Sequence, residues 1–145
     1  MMDVLEHVSD DVGLLREYAD RLAGDGRIFI TVPAFMFVFS GHDLFLGHYR
    51  RYTSSSLERT LRMAGLSPVK IRYYFVSLFP AVAGSRMVKR LFVKNNLMEA
   101  RSELKLYPKW LNHLLLTIHD LERVSCFPFN HAFGLSLFCL CKKSD

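Results

Sequence analysis

The chain has 145 residues, half of them apolar and 23% charged, which is too hydrophobic for a disordered polypeptide and long enough for one domain. The 19 lysines and arginines exceed the 14 acidic residues but form no dense basic stripe, so no nucleic acid is expected as a partner. No apolar run approaches the roughly 18 residues of a membrane span, and the first charged residues are acidic where a secretion signal would be basic. We therefore expect a single cytoplasmic domain over residues 1–145 with no membrane span.

The first part of the chain has the pattern of a strand, a helix and a second strand. Met1 to Leu5 is an apolar stub, and Glu6 to Asp11 has the composition of a helix start, with Ser9 able to cap. Helical spacing of apolar residues continues to a turn at Gly24 to Gly26. Arg27 to Pro33 is short and apolar on both faces, which is typical of a buried parallel strand. The sequence therefore predicts a βαβ unit and an α/β fold.

The rest of the chain alternates loops, helices and strands. Residues 34–53 predict a long irregular loop. Helices are predicted to start at Thr53 or Ser54, at Pro80 and at Pro108, and strands to cover Val69 to Phe75 and Phe133 to Lys142. The apolar residues of the last helix recur at helical spacing and are expected to face the core: Trp110, Leu111, Leu114, Leu115, Ile118 and Leu121. On the last strand, Cys139 and Cys141 should share one buried side.

Several stretches, taken in order, resemble one family. These are DVLEHVSDD at residues 3–11, GDGRIFITVP at 24–33, and HD and GHYRRYT at 42–43 and 47–53. They are similar to the fourth strand, the fifth strand and the following loop of class I S-adenosylmethionine-dependent methyltransferases of type 11 or 12. The resemblance covers nearly the whole chain. It implies a partial Rossmann-like fold with sheet order 3-2-1-4-5-7-6, a mostly parallel sheet ending in an antiparallel strand pair, with the N-terminal strands absent. Residues 69–75 would be the sixth strand and residues 133–142 the seventh.

The resemblance also implies S-adenosylmethionine as the cofactor. The backbone around Met2 and Asp3 would meet the amino-acid and adenine ends of the cofactor, and His7 would lie near its sulfonium. The sequence lacks the family's glycine-rich turn and the acid that bonds the ribose hydroxyls. Two lost hydrogen bonds of roughly 1.5 to 3 kcal/mol each would weaken binding by about two to four decades, so this chain alone should bind cofactor poorly. Alternatively, Glu6 and His7 are a helix-start acid and a surface histidine, and Met2 is a core residue.

The start of the predicted loop, residues 34–39, is strongly apolar and follows the carboxyl end of a strand, where open α/β sheets bind ligands. Phe35 and Phe37 could therefore contact an apolar methyl acceptor. The alternative is that these aromatic residues pack into the core or against the missing half of the domain.

The remainder of the loop holds the candidate catalytic residues. His42 and Asp43 could be a general base and its orienting carboxylate, because methyl transfer from a sulfonium needs a nucleophile that loses its proton, and His48 is a second candidate. Asp43 could instead form salt bridges that anchor the loop. A metal site of His42, Asp43 and His48 is a lesser alternative, and the resemblance requires no metal.

A basic and aromatic run ends the loop. Arg50 and Arg51 could bind a carboxylate or phosphate on the acceptor, with Tyr52 as a further donor, because a guanidinium fork suits such oxyanions. The alternative is that both arginines bond to the protein itself.

Two functions are consistent with these features. The resemblance implies a methyltransferase, as a fragment or truncated form, that acts on a small or lipid-like acceptor by orienting the two reactants. Its N-terminal half would come from a separate chain or a longer gene. The alternative is a non-catalytic module that pairs through its open sheet edge and forms a homo-oligomer. A third hypothesis is that the basic helix over residues 86–94 contacts an anionic membrane surface.

Overall fold

The computed structural model describes residues 1–92, 100, 102 and 106–144, with the backbone alone for residues 90–92. These residues form a mixed α/β fold with three strands, five α-helices and two short 3₁₀ helices. The strands are β1 (Arg27–Pro33), β2 (Leu66–Tyr74) and β3 (Ser136–Lys143). The α-helices are α1 (Asp11–Arg21), α2 (Gly41–Leu46), α3 (Ser54–Met63), α4 (Phe79–Phe92) and α5 (Lys109–Ser125), and the 3₁₀ helices cover Leu5–His7 and Met36–Val38.

The sheet has the strand order β1-β3-β2, and β3 runs antiparallel to both of its neighbours. A mostly parallel sheet is therefore not what the described residues form. Parallel pairing is limited among them to two isolated bridges, Met2 to Thr31 and Ala34 to Tyr52. The reason is that the last strand of the chain lies between β1 and β2, so the two strands that run in the same direction are not neighbours.

The N-terminal stub pairs with β1 in the parallel direction over a short length. The Thr31 amide donates to the Met1 carbonyl at 3.1 Å, and the Asp3 amide donates to the Thr31 carbonyl at 3.0 Å. A strand was predicted over Met1 to Leu5, but the extended pairing ends earlier. Asp3 has a φ of 50° and turns the chain into the first 3₁₀ helix.

The core lies on one face of the sheet. The register pairs Ile28 with Cys141, Ile30 with Cys139 and Val32 with Leu137, and all six side chains are buried. Buried residues of two helices belong to the same core cluster: Leu15 and Ala19 of α1, and Leu57 and Leu61 of α3. The shared burial of the two β3 cysteines is confirmed. Burial of β1 on both faces is confirmed only near its end, since on the other face Thr31 is 6% exposed but Phe29 is 56% exposed.

The predicted elements agree with the structure more closely in type than in their ends. β1 has the predicted bounds, and Thr53 caps α3 as predicted. Asp10 rather than Ser9 caps α1, with its side chain accepting from the Gly13 amide at 2.8 Å. The predicted loop over residues 34–53 contains α2 and a 3₁₀ helix.

The predicted core-facing side of α5 is buried only in part: Leu111, Leu115 and Ile118 are half-buried, but the other three of the six residues are exposed. Trp110 is 67% exposed and Leu121 is 66% exposed, whereas Glu122 is buried. The apolar pattern correctly indicated an amphipathic helix, but the core face of the sheet already packs against α1 and α3.

Arg86 of α4 does not lie on a solvated basic face, because its side chain is 11% exposed and contacts the loop after β1. Residues 93 and 94, the end of the predicted basic helix, lie outside the described residues. None of the helices in the described part of the chain has both the length and the hydrophobicity that crossing a bilayer requires.

Candidate functional site

The segment after β1 is ordered by a helix cap. Ser40 caps the start of α2, and the Asp43 carboxylate accepts from the Ser40 backbone amide at 2.8 Å and from its hydroxyl at 3.2 Å. Gly47 caps the end of α2, and its φ of 75° suits a residue without a side chain. This short helix places the Asp43 carboxylate in the interior, where its side chain is fully buried.

Asp43 is the centre of a buried ionic network. Arg51 approaches its Oδ1 with Nε at 2.8 Å and Nη2 at 2.7 Å, and Nη1 of Arg86 lies 3.7 Å from its Oδ2. Nδ1 of His48 is 3.0 Å from Oδ1. Burial raises the pKa of the Asp43 carboxyl, but the hydrogen bonds and charge of Arg51 and the Ser40 amide outweigh it and hold this pKa below its usual value. Asp43 is therefore an anionic anchor that holds His48 in place.

Beside this network, Glu6, His7 and His48 form a cluster of possible ligands. One potential ligand atom of each residue lies within 4.8 Å of the others. The two imidazole rings meet edge to face with centroids 4.6 Å apart. The Tyr49 amide donates to the Glu6 carbonyl at 2.7 Å, which fixes the loop against the first 3₁₀ helix. The fold thus brings together a carboxylate and two imidazoles from distant parts of the chain.

The Glu6 side chain is 1% exposed, and its Oε2 has no hydrogen-bond partner among the described residues. Burial raises the pKa of Glu6 to about 7, with Asp3 and Asp43 adding to the shift and Arg51 opposing it. Burial also lowers the pKa of His48, although the Asp43 carboxylate acts in the opposite direction. Glu6 can therefore exchange a proton near neutral pH, whereas burial favours the neutral form of His48.

Sequence reasoning predicted His7 and His48 but treated Glu6 as a helix-start acid. The signal in the sequence for this cluster was that two potential ligands, Glu6 and His7, are adjacent. Their juxtaposition with His48 depends on tertiary contacts, which sequence spacing does not encode.

Arg50 and Tyr52 bond to the start of α1. Arg50 donates to the Ser9 carbonyl at 2.7 Å and lies 3.0 Å from Oδ2 of Asp11, which also accepts from the Tyr52 hydroxyl at 2.8 Å. Burial raises the pKa of Tyr52 well above its usual value, with the Asp11 carboxylate adding to the effect. With Arg51, these residues take the structural role that the sequence left open as an alternative. Contact with an acceptor stays a prediction.

The apolar start of the loop forms an aromatic cluster. Phe35 stacks on Tyr73 with ring centroids 5.1 Å apart and approaches the rings of Phe37 and Phe79 at 5.4 and 5.5 Å. Phe133 extends the cluster through Phe79, and the side chains of Phe37 and Phe133 are 44% and 40% exposed. Phe35 has a φ of 60°, an unusual conformation for a bulky residue. The cluster is thus packed on one side and open to solvent on the other.

The remaining predicted site residues lie near this region. Met2 is exposed, so it is not the core residue of the alternative interpretation. Asp3 accepts from the Thr31 hydroxyl at 3.2 Å. The His42 amide donates to the Ser40 hydroxyl at 3.3 Å, and the imidazole bonded to Asp43 is that of His48. An open surface depression of about 490 Å³ on α3, lined by Ser55, Glu58, Arg59, Arg62 and Met63, shares no residue with these sites.

Comparison of the chain with models of known protein families and with the sequences of curated proteins finds no match.

Proposed function

We propose that these residues are the C-terminal part of a cytoplasmic S-adenosylmethionine-dependent methyltransferase domain acting on a small or lipid-like acceptor. The strand arrangement carries this proposal. A parallel stub pairs with β1, and β3 then lies antiparallel between β1 and β2. This matches the order 4-5-7-6 of the resemblance, with the seventh strand reversed. The resemblance of the sequence motifs and the strand order are separate arguments, and both favour the same fold.

The proposed cofactor position is the rim formed by Met2, Asp3 and His7. Asp3 and His7 lie on either side of the turn that follows the parallel bridge, at the carboxyl end of the stub, where open α/β sheets bind their ligands. When bound, the cofactor supplies the methyl group. The protein's part is to hold the two reactants in line, because orientation supplies most of the rate in such a displacement.

The proposed proton acceptor is His48, beside that rim. Asp43 engages Nδ1 of His48, which fixes the ring and directs Nε2 away from the carboxylate. Because the pKa of His48 is lowered, its imidazole is neutral near pH 7. It can therefore take up the proton that a hydroxyl group of the methyl acceptor loses. His42, the other predicted base, has no role in this proposal.

The aromatic cluster is the proposed contact surface for the acceptor. Phe37 and Phe133 are partly exposed. Phe35 joins Phe37 directly, and Phe133 by way of Phe79, to the buried Tyr73. An apolar or lipid-like group would displace water from these ring edges.

Amide chemical shifts during titration with S-adenosylmethionine test the proposal, because they detect the weak binding expected without the glycine-rich turn. At millimolar cofactor we expect shifts at residues 1–8 and 31–35. Asp3→Pro should abolish them, since proline lacks the amide that bonds Thr31 and cannot adopt a φ of 50°. His113→Ala, which changes an exposed residue of α5, is the matched control. No shift at millimolar cofactor, or shifts confined to α5, would contradict the proposed site.

The alternative function is a non-catalytic module that pairs through the edge beside the stub. The observation that favours it is apolar exposure at that edge, where Met2 is 70% and Val4 is 38% exposed. Sedimentation equilibrium would show a dimer that Met2→Lys dissociates. A monomer at high concentration would remove this alternative.

A further inference from the structure

We propose that Glu6, His7 and His48 form a binding site for a divalent transition-metal ion, for which Zn²⁺ is the best fit. The three potential ligand atoms lie within 4.8 Å of one another before any ion is bound. Metal–ligand bonds of about 2.0–2.2 Å place ligand atoms roughly 3 to 4 Å apart around one ion, so small side-chain movements suffice.

The unpartnered carboxylate oxygen is a separate observation that favours a cation. Glu6 is 1% exposed, and Oε2 has no hydrogen-bond partner in the part of the chain that the structure describes. A buried polar atom without a partner is unfavourable, and such atoms in native proteins commonly mark a missing ion or water. A cation bound by two neighbouring imidazoles would satisfy this oxygen.

The surroundings of His48 are those of a metal-binding histidine. Its Nδ1 lies 3.0 Å from the buried Asp43 carboxylate, which leaves Nε2 for a metal ion. A carboxylate on the second ring nitrogen fixes the orientation of a ligating imidazole and makes it a better ligand. The bond from the Tyr49 amide to the Glu6 carbonyl keeps the two segments of the site in register.

The ligand types decide which ion fits. Two imidazoles and one carboxylate are the protein ligands of many catalytic zinc sites, where a fourth position holds water. Mg²⁺ and Ca²⁺ prefer oxygen ligands and should bind weakly here. His7 is exposed, so an ion can reach the site from solvent.

This inference does not rest on methyl transfer. A bound ion would occupy Nε2 of His48 and exclude its role as a base, so the two proposals make different use of the same ring. Metal binding is measured without cofactor, and cofactor shifts are measured in a chelator, so either proposal can fail alone.

The test is titration of the whole chain with Zn²⁺ by calorimetry and with Co²⁺ by visible absorption, in a Cys126→Ser background that removes the exposed thiol. We expect one ion per chain and a Co²⁺ spectrum of low coordination number with nitrogen and oxygen ligands. His7→Ala is the decisive variant, since His7 is exposed and its loss should leave the fold intact. Its affinity should fall by at least the roughly 10–100-fold seen for second-shell changes.

His113→Ala, on the exposed side of α5, is the matched control and should bind as the parent does. Glu6→Gln should weaken binding while the far-ultraviolet circular dichroism stays unchanged. The proposal is overturned if the parent binds no Zn²⁺ at micromolar concentration, or if His7→Ala binds as tightly as the parent.

Discussion

The segment between β1 and α3 differs from the helix α5 in the kind of side chain that it buries. The first buries charged side chains: Asp43 is fully buried and the Arg51 side chain is 8% exposed, each bonded to the other. The second has a strongly apolar face, yet Val124 is 71% exposed and the buried residue is Glu122. Residue polarity alone therefore does not decide which side chains lie inside this protein.

The difference lies in what each element meets. A charged side chain can be buried where partners from several elements converge on it, as Ser40, Arg51 and Arg86 do on Asp43. An apolar helical face is buried when a complementary face is available, and the core side of the sheet is packed against α1 and α3. Variants can separate these two effects.

Of the variants proposed here, one that breaks the Asp43 network should lower the free energy of unfolding the most. Arg51→Met keeps the length of the side chain but leaves the buried carboxylate without its main partner, so we expect a loss of about 3–5 kcal/mol in the free energy of unfolding. Urea unfolding monitored by circular dichroism measures it.

Arg62→Met provides the matched control, because Arg62 pairs with Glu58 on the surface of α3 and is 62% exposed. Its loss should be below about 0.5 kcal/mol. Equal losses for the two variants would show that burial adds nothing to the Asp43 pair.

How far the sequence predicts the structure follows from the same comparison. Local signals placed β1 at its observed bounds and the start of α3 at Thr53 or Ser54, because strand patterns and caps depend on near neighbours. The antiparallel insertion of β3 between β1 and β2, and the meeting of Glu6 with His48, depend on contacts between distant segments. The sequence left two roles open for Asp43, as the carboxylate that orients a catalytic base and as a salt-bridge anchor of the loop. Residue spacing could not show that Arg86 and Ser40 also contact its carboxylate.

Removing the unpartnered carboxyl group should stabilise the protein. The folded pKa of Glu6 is about 7, above its ordinary value of 4.5, so the stability that the protonated group contributes is present below pH 4.5 and is lost as the pH rises through 7. Glu6→Gln stays neutral throughout. In a chelator, its advantage over the parent should grow by about 3 kcal/mol from below pH 4.5 to above pH 7. Urea unfolding at several pH values measures this difference, and an advantage that does not change with pH would contradict the raised pKa.

Glu122 is the buried carboxylate of α5, as Asp43 is that of α2. Its removal should lower the free energy of unfolding by less than the loss of Arg51. Its carboxylate accepts from the Val76 amide at 2.7 Å and from the Ser77 amide and hydroxyl at 3.0 and 2.8 Å. Burial raises the pKa of Glu122, but these bonds hold it below the usual value, so its contribution is present above pH 4.5 and is lost as the pH falls. We expect Glu122→Ala to lose about 2 kcal/mol at neutral pH, measured by urea unfolding.

The control for Glu122 is Asp120→Ala, since Asp120 is 72% exposed on the same helix. It should lose less than about 0.5 kcal/mol at neutral pH. If acid removed the effect of Asp120→Ala but not that of Glu122→Ala, the assigned contacts would be wrong.

Truncating an exposed side chain on the apolar face of α5 should change the free energy of unfolding the least. Leu121 is 66% exposed, so Leu121→Ala removes few contacts and should change the free energy of unfolding by less than about 0.5 kcal/mol. Leu61→Ala is the matched change in the core, where the side chain is fully buried and about 2–5 kcal/mol is expected. Urea unfolding of both variants gives the comparison. A loss above about 2 kcal/mol for Leu121→Ala would mean that this face is covered in solution, because an exposed leucine has too few neighbours to produce it.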